Sequence, residues 1–404
     1  MNAPGQHPSE RSQRGLDWLN FFIAGVETGF GPFIVVYLAV NGWQQGQIGL
    51  VLTVGSVCGI ASQLPGGAIV DGARSKRMVV AVGLALTAAG SLLFFFSHAF
   101  WFVLLAQLCH GVTAGLITPA KAPIGLGLVG HRGLSQRLGR NHRFDSFGNA
   151  GTAGLMGLLG HYVAERFSFL FAAALCMPAL WALTRIRGSE IDYARARAAK
   201  PGETDKHPAQ YRDLLKNRQL LIFAGTMILF QVANASAIPL VIERLGQHDQ
   251  GESELIVAGL VIVPQVITAA LASWMARRAD TWGRKPLLLA AFVALALRVT
   301  LFTVAPGPLW LLPIQALSGV DAVVIGILGP LIIADVTAGS GRYNLAQGAV
   351  GMATGTGAAL STTATGFIAQ WFGFTVGLLV LAAAAVAGFV FVALLLRESK
   401  DAAG

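Results

Sequence analysis

Long apolar stretches separated by short polar ones dominate the chain. Each runs for about 20 residues, the length an α-helix needs to cross the hydrocarbon core of a membrane. The apolar residues are continuous rather than alternating with polar ones, which argues against a β-barrel. Twelve such segments, called spans 1 to 12 below, are predicted at 16–39, 47–70, 78–97, 101–121, 144–163, 167–184, 219–243, 254–276, 286–305, 309–334, 344–369 and 375–396. The pattern predicts an all-α membrane protein with twelve transmembrane helices.

The longest polar stretch divides the spans into two sets of six. It covers 185–218, between spans 6 and 7, and we expect a cytoplasmic linker there with a short local helix at 211–216. The predicted organisation is a tail at 1–15, an N-terminal six-helix bundle at 16–184, this linker, a C-terminal six-helix bundle at 219–396 and a tail at 397–404.

The charge distribution indicates how the spans are oriented. Only 12% of the residues are charged, against about a quarter in soluble proteins, which excludes an ordinary soluble enzyme. With both termini cytoplasmic, all but three of the 29 Lys and Arg residues lie on the cytoplasmic side; Arg166 and Arg244 fall in outer loops and Arg298 within a span. This bias predicts a multi-pass inner-membrane protein. Contact with anionic membrane lipids, rather than nucleic acid, accounts for the net charge of +9.

Several landmarks recur in the second half of the chain at an offset of about 208 residues. Asp71 ends span 2 as Asp280 ends span 8, and Pro32 of span 1 recurs as Pro239 of span 7. The run Gln107-Leu-Cys-His-Gly-Val-Thr-Ala recurs as Gln315-Ala-Leu-Ser-Gly-Val-Asp-Ala. Repeated halves around a central site are the usual construction of secondary transporters.

The loops that follow Asp71 and Asp280 carry a family resemblance. Asp280-Thr-Trp-Gly-Arg-Lys-Pro286 resembles the loop signature of the major facilitator superfamily, and the loop between spans 2 and 3 resembles a degraded copy with Arg74 where glycine is expected. With the six-plus-six division, the resemblance covers nearly the whole chain and is closest to the twelve-helix small-molecule:proton antiporters. It implies two pseudo-symmetric bundles, alternating access, and a transporter rather than an enzyme.

The same loops are predicted to act as cytoplasmic gates. An acid at the inner end of one helix faces cationic side chains and a neighbouring helix terminus, so ion pairs there close the cytoplasmic face. The alternative is that the acids only anchor helix ends at the lipid boundary. The predicted gating residues are Asp71, Arg74, Lys76, Arg77, Asp280, Gly283, Arg284 and Lys285.

Glu27 is the leading candidate for proton coupling. It lies near the middle of span 1, where a charge costs roughly 2.5–3.5 kcal/mol on insertion scales and indicates function. The following Gly29-Phe-Gly-Pro32 weakens the helix and frees backbone groups to line a cavity. The protonated carboxyl is cheap to bury and the ionised form attracts a cation, so one group serves exchange transport. A permanent hydrogen bond to a neighbouring helix is the structural alternative.

Three further ionisable residues lie deep in the spans. His110 is a second candidate for proton coupling, with packing between helices as the alternative, and Asp321 is a third. Asp321 and Arg298 have similar predicted depths, which favours a buried ion pair over separate roles. Proton-coupled exporters of the superfamily often have an arginine where this chain has Gln107. The predicted substrate-binding residues are Glu27, Asn20, Gln107, His110, Asn149, Gln231, Asn234, Gln315 and Asp321.

The function favoured by these features is proton-coupled efflux of a small amphipathic or cationic compound. The alternatives are proton-coupled uptake of a metabolite, with Arg298 helping to hold an anion, and a non-transporting receptor or scaffold on the same fold. The sequence contains neither a phosphate-binding Gly-x-x-x-x-Gly-Lys-Ser/Thr motif nor a metal-binding motif. We expect no cofactor or metal, and a monomer whose partners are a small molecule, protons and membrane lipids.

Overall fold

A computed structural model describes residues 8–28, 34, 37–38, 40–73, 75–198, 211–246 and 250–399. Its α-helices are α1 (Glu10–Thr28), α2 (Gln45–Gly72), α3 (Lys76–Phe96), α4 (Phe100–Tyr162), α5 (Arg166–Arg185), α6 (Tyr211–Lys216), α7 (Arg218–Asn234), α8 (Ala237–Gly246), α9 (Gln250–Trp282), α10 (Arg284–Val304), α11 (Leu311–Val336), α12 (Tyr343–Phe372) and α13 (Phe374–Leu395). Short 3-10 turns lie at Gly188–Glu190, Arg195–Arg197 and Pro308–Trp310. In this part of the chain, nine helices are long and apolar enough to cross a membrane.

Most helices follow the predicted spans, although span 7 is divided into α7 and α8, and the largest difference concerns spans 4 and 5. Spans 4 and 5 were predicted at 101–121 and 144–163, with a polar loop between them, but α4 is a helix of 63 residues that contains both. The backbone breaks only at Gly130, where φ is +71°, a conformation that glycine adopts without steric cost. We call residues 100–129 the first arm of α4 and residues 131–162 its second arm.

The chain forms two compact units. The first contains Met1–Ala209 together with Thr337–Ala349, and the second contains Gln210–Val336 together with Val350–Gly404. The short helix α6 lies in the stretch predicted as a linker, whereas residues 199–210 of that stretch lie outside the described residues.

Glycines bring helices of the first unit into backbone contact. A Cβ atom on Gly66 of α2 would collide with the backbone of Gly115 in the first arm. On the other side of this unit, a Cβ atom on Gly148 of the second arm would collide with the carbonyl of Phe21 in α1. Small residues allow such close packing of membrane helices, so α1 and the second arm present their side chains to one another at short range.

Local capping fixes where several helices begin. The hydroxyl of Ser75 accepts a hydrogen bond from the Met78 amide at the start of α3, and the side chain of Asn217 does the same for Leu220 at the start of α7. The N-cap of α10 is Gly283, whose φ of +92° favours glycine. These caps place the ends of α3 and α10 beside the predicted gates.

Candidate functional site

A cluster of charged side chains lies between α1 and the two arms of α4. Lys121 Nζ, on the first arm, lies 3.2 Å from Asp145 Oδ1 on the second arm. Glu27, near the end of α1, interacts electrostatically with both residues. The side chain of Glu27 is accessible. Its electrostatic interaction with Lys121 and Asp145 indicates that it faces helices of its own unit. We call Glu27, Lys121 and Asp145 the Glu27 cluster.

The packing of α1 explains why these groups meet. Gly25, two residues before Glu27, has no room for a side chain because a Cβ atom there would collide with the hydroxyl of Thr152. Thr152 lies on the second arm, two helical turns after Asp145. Because α1 and the second arm touch at Gly25, within one turn of Glu27, this part of α1 is close to the arm that bears Asp145.

Sequence reasoning missed two of the three residues. Lys121 is the last residue of predicted span 4 and Asp145 the second residue of predicted span 5, and neither was predicted as a site residue. The predicted loop between these spans was wrong, because the residues from 131 onward form the helical second arm. Arg140 Nε lies 2.9 Å from the carboxylate of Asp17 in α1, and His142 Nδ1 lies 4.0 Å from Asp145 Oδ2.

The cluster has two carboxylates and one ammonium group, so it carries an excess of acid when all three are ionised. The side chains of Lys121 and Asp145 are 19% and 16% accessible, and Glu27 is exposed. A proton or a cation that reaches Glu27 therefore compensates the uneven charge. An accessible carboxylate beside a partly accessible ion pair is suited to exchange one positive charge for another.

The other predicted polar residues of the first unit lie apart from this cluster or are used by the fold. His110, half-buried on the first arm, comes eleven residues before Lys121, about 16 Å along a helix. Gln107 is buried and lies against Gly55 of α2. Asn20 is buried and donates to the carbonyl of Leu16 in its own helix, 2.8 Å away. Asn149 follows Asp145 by one turn of the second arm and is partly buried.

The second unit contains a charged cluster that is closed to water. Arg298 Nη2 on α10 lies 3.5 Å from Asp321 Oδ2 on α11, and these side chains are 1% and 2% accessible. Arg298 also donates to Gln315 Oε1 at 3.3 Å and to Asn234 Oδ1 at the end of α7. Asn234 in turn donates to Gln231 at 3.4 Å. The structure thus joins five predicted residues in one polar network, far better sealed than the Glu27 cluster.

The first predicted gate binds the beginning of α12. Asp71 accepts hydrogen bonds from the Asn344 amide nitrogen at 3.3 Å, from the Asn344 side chain, and from the Leu345 amide nitrogen at 2.7 Å. An acid at a helix N-terminus satisfies amides that have no partner within the helix. Lys76 donates to the carbonyls of Val70 and Asp71. Sequence reasoning missed Asn344, since no motif marked it.

The remaining basic residues of that loop are placed differently. The guanidinium of Arg77 lies beside Gly188, in the segment after α5, where a Cβ atom would be 3.3 Å away. Arg74 lies outside the described residues.

The second predicted gate has a different acid as its main partner. Arg284 Nε lies 3.1 Å from Asp335 Oδ2 at the end of α11, whereas Arg284 Nη1 is 3.8 Å from Asp280 Oδ1. Glu398 accepts hydrogen bonds from the backbone amides of Arg284 and Lys285 at 2.8 and 3.0 Å. Asp335 and Glu398 were not predicted. Both lie near helix ends, where hydropathy alone does not distinguish a partner from a solvated charge.

Comparison with known proteins agrees with this architecture. A sequence model of the Major Facilitator Superfamily matches residues 16–278 and 235–404. The uncharacterized MFS-type transporters MT2531 and Rv2456c, from two strains of Mycobacterium tuberculosis, are each 35% identical over 394 residues, covering 97% of this chain and 94% of theirs.

Solved structures share the fold at low sequence identity. The human organic anion transporter MFSD10 has a TM-score of 0.69 at 16% identity, covering 95% of this chain and 100% of that one. The MFS transporter FucP in its outward conformation has a TM-score of 0.74 at 14% identity, covering 94% and 97%. These likenesses confirm the predicted all-α fold, and the sequence model and the two relatives confirm the predicted superfamily. The chain belongs to the Major Facilitator Superfamily and is a membrane transporter, not an enzyme.

Proposed function

We propose that this transporter exports a small amphipathic or cationic compound in exchange for protons, by alternating access. The observation that carries the proposal is the Glu27 cluster, in which an accessible carboxylate within a membrane helix lies beside the Lys121–Asp145 pair. Because Glu27 is the accessible acid of the cluster, a bound cation and a bound proton compensate the same charge. The two ligands therefore compete, which is the chemistry that antiport requires.

The sealed network around Arg298 counts against uptake of an anionic metabolite. In that alternative Arg298 helps to hold the substrate, but its guanidinium is 1% accessible and already contacts Asp321, Gln315 and Asn234. Releasing it for a substrate leaves a carboxylate buried without its counter-charge, which costs several kcal/mol. An accessible acid and an inaccessible base together favour a cationic cargo.

Transport in liposomes tests the proposal. Purified protein is reconstituted into liposomes with an acidic interior, and uptake of ethidium, a fluorescent amphipathic cation, is measured. We expect Glu27→Gln to reduce the uptake at least about tenfold, since the amide carries no exchangeable charge, a loss equal to 1.4 kcal/mol or more. The matched control is Glu165→Gln, which changes the same side chain before α5.

The outcome that overturns this role is undiminished pH-driven uptake by Glu27→Gln. Thermal unfolding of both variants separates loss of the fold from loss of transport.

Growth assays separate export from the alternatives of uptake and a non-transporting scaffold. A deletion strain of an exporter becomes sensitive to a toxic cation, and one of an importer fails to grow on a nutrient. A double Asp71→Asn, Asp280→Asn variant with no phenotype favours a scaffold.

The proposed setting is the inner membrane, with both termini in the cytoplasm and the protein acting as a monomer. The distribution of arginine and lysine supports this orientation, because cytoplasmic loops carry the excess of positive charge in membrane proteins. Labelling of cysteines introduced near Glu10 and near Glu398, in intact cells and in opened cells, tests it directly.

A further inference from the structure

A groove with three arginines and two tryptophans lies between the beginning of α1 and the end of α5. Its volume is about 450 Å³. The residues that line it are Glu10, Arg11, Arg14, Gly15, Trp18, Trp181, Ala182 and Arg185. None of them belongs to the Glu27 cluster or to the predicted gates, so the groove is a separate feature of the first unit.

Close packing of the two helices forms the floor of the groove. A Cβ atom on Gly15 would lie 3.0 Å from the carbonyl oxygen of Ala182 and 3.0 Å from Cβ of Arg185. The backbones of α1 and α5 therefore touch at Gly15, and the larger side chains on either side form the walls of the groove. A side chain at this position would push α1 and α5 apart and open the floor.

The tryptophans place the groove at the boundary between lipid and water. Trp18 and Trp181 are 45% and 54% accessible, although both lie in helices of a membrane protein. Exposed tryptophan is typical of the headgroup layer, where its ring is amphipathic. Trp18 is held in place by Phe22, whose ring is stacked on it at 5.8 Å between centroids. The Arg185 guanidinium lies 4.5 Å from the ring of Trp181.

The charge of the groove is positive. Glu10 opposes the three arginines and pairs with Arg14 at 3.1 Å, but these two side chains are 85% and 72% accessible, and such surface pairs contribute little and exchange readily. The guanidinium group presents a fork of donors that matches a phosphate oxygen pair. The walls thus offer cationic donors at one end and aromatic rings beside them.

We propose that this groove binds an anionic phospholipid, with its phosphate on Arg11, Arg14 and Arg185 and its acyl chains leaving past Trp18 and Trp181. A free phosphate ion satisfies only the arginines and leaves the exposed rings uncovered. A lipid satisfies both, and its place in the bilayer coincides with the level at which the tryptophans lie. The bound lipid ties the first helix of the unit to its last one.

Thermal stabilisation by short-chain lipids tests the groove. Purified protein in detergent is titrated with dioctanoyl phosphatidylglycerol, with dioctanoyl phosphatidylcholine and with inorganic phosphate, and the unfolding temperature is recorded. We expect phosphatidylglycerol alone to raise it in a saturable manner. The double variant Arg14→Gln, Arg185→Gln should weaken the apparent affinity at least about tenfold, because two charge-assisted contacts are lost. Arg14→Gln alone, at an exposed position, provides the same readout with a smaller effect if the double variant does not fold.

The matched control is Arg278→Gln. Arg278 also lies on a tryptophan, 4.6 Å from the ring of Trp282 at the end of α9, but it does not line the groove. Its variant should keep the response to phosphatidylglycerol. Three results would overturn the proposal. They are equal stabilisation by both lipids, equal stabilisation by inorganic phosphate, and an unchanged response to phosphatidylglycerol in the double variant. None of these results depends on transport, so failure here is distinguishable from failure of the proposed antiport.

Discussion

Ion pairs lie within helices of both units, and the pair beside Glu27 differs from the pair at Arg298 in how much of its side-chain surface is accessible. Lys121 and Asp145 keep 19% and 16% of their side-chain surface accessible, with Glu27 exposed beside them. Arg298 and Asp321 keep 1% and 2% and are joined by hydrogen bonds to neighbouring amides. The closed pair, Arg298–Asp321, maintains the packing of α10 and α11. The open pair, Lys121–Asp145, lies beside the additional carboxylate of Glu27, which can change its protonation without unfolding its surroundings.

The largest expected effect comes from breaking the closed pair. Either Arg298→Met or Asp321→Leu alone leaves a buried charge without its partner and should lower the free energy of unfolding by about 3–5 kcal/mol. The double variant should cost less than either single one. Chemical denaturation in detergent measures all three. If the double variant is the least stable, the pair is not the structural element that its burial indicates.

A change in the open pair, Lys121–Asp145, should affect transport rather than stability. Asp145→Asn removes the acid that holds Lys121 and should reduce pH-driven ethidium uptake at least about tenfold, while changing the free energy of unfolding by about 1 kcal/mol or less, because solvent screens the remaining charge. Proteoliposome flux and denaturation, measured on the same preparation, check both parts. Full flux with large destabilisation would make this pair structural too, and the contrast between the units would disappear.

The two predicted gates should differ in how they affect amide hydrogen exchange at the start of α12. Asp71 accepts amide hydrogen bonds from Asn344 and Leu345 at the start of α12, whereas Asp280 lies 3.8 Å from Arg284. Asp71→Asn should therefore speed hydrogen exchange of the 343–349 segment about tenfold, the effect of losing roughly one charge-assisted hydrogen bond. Asp280→Asn should leave that segment unchanged. Exchange followed by mass spectrometry reads these amides directly, and equal rates in both variants would contradict the difference.

The smallest expected effect concerns a carboxylate outside the membrane helices. Glu190 accepts hydrogen bonds from the Ser9 amide and hydroxyl at 3.0 and 2.9 Å. Partial burial opposes ionisation, but hydrogen bonds from Ser12 and Ser9 outweigh it and hold the pKa of Glu190 below its usual 4.5. A lowered pKa stabilises the fold above about pH 4.5, and this contribution is lost as the pH falls through the lowered value.

Glu190→Gln should therefore lower the free energy of unfolding at pH 7 by about 0.5–1 kcal/mol. The difference from the unchanged protein should shrink in acid. Thermal unfolding of both proteins at pH 7 and below pH 4 checks this, and a difference that grows in acid would contradict the assigned hydrogen bonds. The result also gives a reference for what one carboxylate contributes away from the membrane.

Hydropathy was sufficient to predict most of the fold. An apolar run of about 20 residues has few alternatives to a membrane helix, and the ends of α3, α5 and α10 lie within two residues of the predicted limits. It failed between the arms of α4, because a polar helix that continues past Gly130 has the same composition as a loop. Because spans 4 and 5 were treated as separated by a loop, nothing in the prediction brought Lys121 at the end of one together with Asp145 at the start of the other.

The site was predicted less completely, for a physical reason. Depth within a span marks costly charges, and it identified Glu27, Arg298 and Asp321. Partners that depend on how helices pack carry no local signal. Asn344 donates to Asp71, and Glu398 accepts from the first amides of α10; only the folded chain brings these partners together.

The hydrogen bonds that Glu398 accepts from the first amides of α10 have a consequence for synthesis. Glu398 follows Arg284 by 114 residues, so three further membrane helices leave the ribosome before the carboxylate that caps α10 exists. During that interval the first amides of α10 depend on water or on chaperones. A truncation before Glu398 leaves these two amides permanently without their carboxylate partner.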